Sequence, residues 1–131
     1  MSEKSNSAEI RIDVNYAIEL ITEIFQAKSC NHYEAKTIAE RLCGSNLKGH
    51  DSHGIARVPR YVEWMERGWL YPNMKPELVV DAGAMACLDA KQGFGQIAGE
   101  CAVDEGIERA KKHGCSAVSY THLRAHETLR Y

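Results

Sequence analysis

The sequence has no marked charge bias and few ring-stiffened residues: 16 Lys and Arg face 18 Asp and Glu across 131 residues, with only three prolines and two phenylalanines. A chain held on nucleic acid by a basic face needs a positive excess, and the formal net charge here is −2. No apolar run approaches the roughly 18–20 residues that a bilayer-spanning helix requires. The polar start, residues 1–9, has neither an apolar core nor an Arg-rich amphipathic pattern, so it does not read as a targeting peptide. Close cysteine pairs are also missing. Cys30, Cys43, Cys87, Cys101 and Cys115 are odd in number and spaced by 13, 44, 14 and 14, unlike a zinc ribbon or a thioredoxin-like site. These absences predict a soluble, cytoplasmic protein with free thiols and with no nucleic-acid or membrane partner.

What is present is an ordered alternation. After a loose terminus, Asp13 is a good N-cap for a stripe of Val14, Ala17, Ile18, Ile21, Ile24 and Phe25 that ends near Ala27. Asn31 followed by Glu34 resembles a capping arrangement, and Ala35, Ile38, Ala39, Leu42 and Cys43 predict a second helix. A loop, Gly49 to Gly54, leads to a third helix with Pro59 in its first turn, a stripe of Val58, Tyr61, Val62 and Met65, and Gly68 as its stop. Two short strands are expected at Leu78–Val80 and Ala84–Leu88 around the turn Asp81-Ala82-Gly83. A fourth helix then follows Gly93-Phe94-Gly95, with Ile97, Cys101, Ile107 and Ala110 facing inward and Gly114 closing it. A third strand is expected to begin at Cys115 and to find no partner in the chain. Helices first, then strands alternating with a helix, give an α/β or α+β fold class, truncated where a βαβ unit would complete itself.

The densest polar cluster is His50, Asp51, Ser52, His53, Arg57, Arg60 and Tyr61. An imidazole such as that of His53 can exchange a proton with a carbonyl or carbinol oxygen. Arg57, one helical turn on, offers a planar fork for a carboxylate. A solvated helix-capping loop has the same residue content, so spacing alone leaves both readings open. His50, Asp51 and His53 supply part of a metal's donor set, with no second cluster to complete it, and the expectation is no metal. Gly93-Phe94-Gly95-Gln96-Ile97-Ala98 satisfies the G-x-G-x-x-G/A pattern of a phosphate turn. It follows three helices and is separated from its strand by Lys91 and Gln92, so a tight strand-to-helix turn accounts for it better. Trp64, Trp69, Tyr71 and Tyr33 read as packing or contact residues. Exposed for a partner, the first three of these would make the chain a small non-catalytic helical interaction module, the alternative to an enzyme.

The run Asp51-Ser52-His53-Gly54-Ile55-Ala56-Arg57-Val58-Pro59-Arg60-Tyr61, followed by Gly68, Pro72 and Lys75-Pro76, resembles the Ser-His-Gly segment of the type-2 malate/L-lactate dehydrogenase family, a group of non-Rossmann oxidoreductases. Asp89 to Gln96 resembles the family's next block, an Asp followed by a Gly-x-Gly-Gln turn. The resemblance covers roughly Ile12 to Ala117. It implies NAD- or NADP-dependent interconversion of 2-oxo acids, or their imines, with 2-hydroxy or amino acids. It assigns His53 as proton donor, Arg57 as the arginine near the substrate carboxylate, and Ser52 as the companion of the histidine. It also implies a homodimer, a small 2-oxo or 2-hydroxy acid as partner, and a parent more than twice as long. The cofactor-binding residues are then expected downstream of the truncation.

Beyond Ala117 the pattern is lost. Val118 to Thr128 resembles one reading frame of a transposon-based sequencing adapter, with Leu129-Arg130-Tyr131 as index bases read as protein. His122, close to where other family members place a second histidine, is accordingly not adopted as catalytic. The expected organisation is a loose N-terminus (1–10), a helical segment carrying the Ser-His-Gly motif (11–76), the incomplete start of an α/β domain (77–117) and a non-native tail without packed partners (118–131). Native genomic DNA encoding Ser119 to Thr128 would overturn the last assignment.

Overall fold

The computed structural model describes residues 10–122. Three helices form one layer: α1 (Val14–Ala27), α2 (His32–Leu47) and α3 (Val58–Glu66). Asp13 caps α1 by accepting from the amides of Asn15 and Tyr16, each at 3.0 Å. This fixes the helix phase, so Ala17, Ile21 and Phe25 all turn inward. Asn31 caps α2 through the Glu34 amide at 2.9 Å. The reciprocal half of a capping box is not made. Instead the Glu34 carboxylate accepts from the Asn73 amide at 2.7 Å, and the Asn31 amide donates to Asn73 Oδ1 at 2.7 Å. Asn73 also donates through Nδ2 to the Ser29 carbonyl at 2.7 Å, from a left-handed backbone at φ +61°. One side chain thus ties the α1–α2 turn to the connection that leaves α3.

The core lies between these helices. Ile21, Phe25, Ile38, Leu42, Tyr61, Trp64 and Leu70 meet Phe94, which comes from the glycine turn before α4 (Gly95–His113). Phe25 and Phe94 stack edge-on with centroids 5.6 Å apart, and Tyr61 meets Phe94 in the same way at 5.8 Å. Trp64 is therefore buried at 8% exposure and is not available to a partner as the interaction-module reading requires. Trp69 and Tyr71 are exposed.

The sheet has the order β1-β2-β3, with β1 (Glu77–Ala82), β2 (Met85–Asp89) and β3 (Ala117–Thr121). The hairpin turn is Gly83-Ala84, two residues later than the expected Asp81-Ala82-Gly83 centre begins, and Gly83 supplies its positive φ of 67°. β3 starts two residues after Cys115 and pairs parallel with β2, Met85 to Ala117 through Asp89 to Thr121. The expectations that the third strand has no partner and that the segment from Val118 has no packed contacts are both corrected here for residues 118–121. Parallel pairing is made by backbone groups and does not require alternating side chains. Residues 123–131 lie outside the described residues.

Helix α4 buries a different face from the expected one. Ala98, Ala102 and Arg109 are buried, whereas Ile107 is 48% exposed and Ile97, Cys101 and Ala110 are half-buried. Small residues let the helix lie close on its neighbours. Arg109 reaches over the hairpin to Asp81 at 2.7 Å and to the carbonyls of Gly83 and Met85, while Glu105 holds its Nε at 2.8 Å. The whole guanidinium serves as a staple between helix and hairpin. Gly114, at φ +81°, ends α4 after the basic turn Lys111-Lys112-His113. No helix among the described residues is long and apolar enough to cross a membrane.

Candidate functional site

The loop between α2 and α3 is built from two short 3₁₀ turns, Asp51–His53 and Ile55–Arg57, with Gly54 between them. Each closes a local ring: the His53 amide donates to the His50 carbonyl at 2.9 Å, and the Arg57 amide to the Gly54 carbonyl at 3.0 Å. Arg57 turns its Nε back onto the Ser52 carbonyl at 2.5 Å. Ser52 Oγ lies 3.0 Å from His53 Nδ1, and both side chains are exposed. The structure therefore brings Ser52, His53 and Arg57 onto one compact loop, with Arg57 half-buried behind the exposed pair. In the protonated ring both nitrogens are donors, so Nδ1–H can donate to Ser52 Oγ while Nε2–H, on the far side from Ser52, is left for a substrate atom.

Other members of the polar cluster are used elsewhere. Tyr61 is a core residue whose hydroxyl accepts from Gln96 Nε2 at 3.2 Å. Arg60 lies over the Trp64 ring at 5.9 Å. Asp51 accepts from Asn46 Nδ2 at 2.7 Å. Among the described residues no three His, Cys, Asp or Glu side chains converge as metal donors. The Gly93-Phe94-Gly95 turn is closely packed. A β-carbon at Gly93 would lie 2.8 Å from Met74 Cβ and 3.0 Å from the Ala90 carbonyl oxygen, and Phe94 is sealed in the core at 2% exposure. Close packing is what the first glycine provides.

Two features escape sequence reasoning. Asn46, half-buried in the last turn of α2, accepts from the Ile55 amide at 2.7 Å as well as donating to Asp51. An asparagine nine residues before Ile55 is no signal by itself; only the closed loop makes the contacts. The second is an exposed histidine–carboxylate pair, His122 Nδ1 to Asp89 Oδ1 at 3.0 Å, at the common end of β2 and β3. Asp89 also accepts from the Lys91 amide at 2.8 Å, and this contact, with His122 second, holds its carboxyl below the usual carboxylate range. The pair lines a cleft of about 460 Å³ with Tyr71, Met74, Lys91 and Gln92.

Buried thiols and carboxyls elsewhere are shifted by desolvation. Burial pushes the Glu34 carboxyl up, against the opposing effect of the Asn73 amide. Burial, reinforced by the charge of Glu34, also pushes the Cys30 thiol up. The cysteines are free, and Cys30 and Cys43 are buried.

Comparison with known proteins supplies the relationship. Hydroxycarboxylate dehydrogenase B of Escherichia coli K12 is 39% identical over 109 residues, covering 83% of this chain and 30% of that protein. A Delta(1)-pyrroline-2-carboxylate/Delta(1)-piperideine-2-carboxylate reductase of Pseudomonas putida is 28% identical over 119 residues, covering 91% of this chain and 35% of its own length. The solved structure of malate dehydrogenase from Pyrococcus horikoshii superposes with a TM-score of 0.83 at 25% identity, over 88% of this chain and 33% of that one. The chain thus spans about a third of the length of the relatives it matches. Residues 12–129 match the malate/L-lactate dehydrogenase family, a span that contains the whole Ser-His-Gly loop and all three strands, and the chain belongs to that family.

Proposed function

We propose that the chain is part of an oxidoreductase that interconverts 2-oxo acids, or their imines, with 2-hydroxy or amino acids, with NAD or NADP as the redox partner. The observation that supports this most directly is the Ser52–His53–Arg57 loop: a histidine with a hydroxyl on Nδ1, one 3₁₀ turn from a guanidinium. In reduction, protonated His53 delivers its Nε2 proton to the carbonyl oxygen or imine nitrogen as negative charge develops there, and is left as the neutral imidazole. Arg57 draws the substrate carboxylate toward the loop by a charge-assisted contact. Ser52 Oγ, 3.0 Å from Nδ1, accepts from that nitrogen of the protonated ring and orients Nε2. A nicotinamide, when bound, would supply the hydride, and the residues that hold it are proposed to lie in the part of the family's length that this chain does not span. A homodimeric, cytoplasmic parent is part of the same proposal.

The test uses a full-length parent. His53→Ala is expected to lower kcat by roughly 10²–10⁴-fold, the usual weight of a general acid. Arg57→Lys is expected to raise KM about tenfold with kcat nearly unchanged, because an ammonium cannot reproduce the planar fork. Unchanged steady-state kinetics in both variants would remove the assignment. The 131-residue chain alone is expected to show no 2-oxo-acid-dependent oxidation of NADH or NADPH at 340 nm.

A further inference from the structure

We infer that β1 is an interaction surface for a second copy of this chain: its free edge pairs antiparallel with the same edge of the copy, about a two-fold axis at Val80. Two three-stranded sheets then become one of six strands. β1 is an outer strand in the order β1-β2-β3, and among the described residues no strand lies along its other side. One row of its backbone N–H and C=O groups is therefore open to pairing. All six residues are exposed, with Leu78 at 41%, Val79 at 54% and Val80 at 51%. Aliphatic residues of high strand propensity are what an open edge usually avoids. Lysine and proline, the common guards of an edge, are absent from Glu77–Ala82. The guard that remains is the bulge between Leu78 and Val80, which confines regular pairing to the hairpin end of the strand.

Charge selects the occupant and its register. Both carboxylates of the strand are ion-paired within their own chain, Glu77 with Lys91 and Asp81 with Arg109 at 2.7 Å. Two copies therefore meet without a bare acidic row between them. In an isologous antiparallel pair the axis passes through one residue and its symmetry mate. An axis at Val79 would set Glu77 opposite Asp81 of the copy, and an axis at Asp81 would oppose the two aspartates, which is unfavourable in both cases. With the axis at Val80, Val79 faces Asp81, Leu78 faces Ala82, and Glu77 reaches the copy's turn at Gly83. That turn carries the basic end of α4. Arg109 donates to the Gly83 carbonyl, and His113 Cε1 lies 3.8 Å from where a β-carbon on Gly83 would stand, beside Lys111 and Lys112. The acidic end of one β1 thus meets the basic end of the other, twice by symmetry. A pairing this short falls below the roughly 1,200 Å² that stable specific interfaces bury, so the dimer is expected to be weak and reversible.

Nothing in this interface depends on the reaction proposed for His53. Sedimentation velocity of the 131-residue chain from about 5 µM to about 1 mM tests it, with amide hydrogen exchange read at both ends of that range. The mean mass is expected to climb from monomer toward dimer, and the β1 amides to exchange about threefold or more slowly in the concentrated sample. Val80→Lys, which sets a charge on the axis, is expected to lower the association constant about tenfold or more. Val103→Lys, at an exposed position on α4, is expected to leave it unchanged. A chain that stays monomeric at the highest concentration overturns the proposal, whatever else covers the edge. Association that survives Val80→Lys, or that Val103→Lys abolishes, overturns it as well, because the contact then lies elsewhere. If Val80→Lys fails to fold, exchange in the wild-type chain decides: slowing confined to β1 supports the proposal, and β1 amides indifferent to concentration overturn it.

Discussion

Glu34 is a carboxyl at 2% exposure, held by the Asn73 amide and next to the Cys30 thiol. Desolvation raises its pKa above the ordinary value. A carboxyl that binds its proton more tightly folded than unfolded favours the fold below the unfolded pKa, and this advantage is lost as pH rises through the folded pKa. Glu34→Gln keeps an oxygen for the Asn73 amide and removes the titration. Its melting temperature is therefore expected to gain on wild type as the pH is raised from about 4 to 8, measured by thermal unfolding followed by circular dichroism. A gap that shrinks with rising pH would contradict this sign. At this same scale the site was partly legible. His53, Ser52 and Arg57 lie within six consecutive residues, so the local chain already places them together. Asn46 was not legible, because its partners Asp51 and Ile55 are defined only by the way the loop folds back on α2.

Helix α1 shows how much an element owes to its boundary. Its apolar positions follow the helical period, and Asp13 accepts from two amides that have no partner inside the helix. Asp13→Ala is expected to cost about 1 kcal/mol, which lowers the melting temperature by roughly 3–5 °C with the enthalpy nearly unchanged. Differential scanning calorimetry checks it. Capped helices with a wide apolar stripe are readable from sequence, and α1 through α3 were. In α4 the same reasoning chose the wrong face. The buried residues there are two alanines and an arginine, and Arg109 is satisfied by Asp81 and Gly83, far away in the chain. Periodicity weighs side-chain size and polarity, and neither reports a partner that arrives from a hairpin. The third strand is legible but its partner is not, for a related reason: its pairing with β2 comes from peptide groups that every residue except proline carries in full.

At the scale of the molecule, the helical layer and the sheet share less than their closeness in sequence suggests. β1 is exposed along all six of its residues, and the apolar cluster of the helices takes in Phe94 but no strand residue. The groove of about 830 Å³ along α4 and β3, lined by Gly99, Val103, Gly106, Val118 and Tyr120, adds little cohesion of its own. The family relatives it matches are about three times as long as this chain.

The single residue Asn73 then acquires a thermodynamic meaning. It is bonded to Ser29, Asn31 and Glu34 on one side, and its neighbour Met74 fills the space over Gly93 on the other. Such a rivet decides whether two layers melt as one cooperative unit or as two. With Asn73→Ala, the two hydrogen bonds of the side chain, from the Asn31 amide and to the Ser29 carbonyl, vanish and a left-handed backbone loses the residue type that tolerates it. The emission of Trp64, buried among the helices, and the exchange of β2 amides are expected to report one transition in the wild-type chain and two separated transitions in the variant. Cooperativity, on this account, is a property carried by one short side chain in a turn.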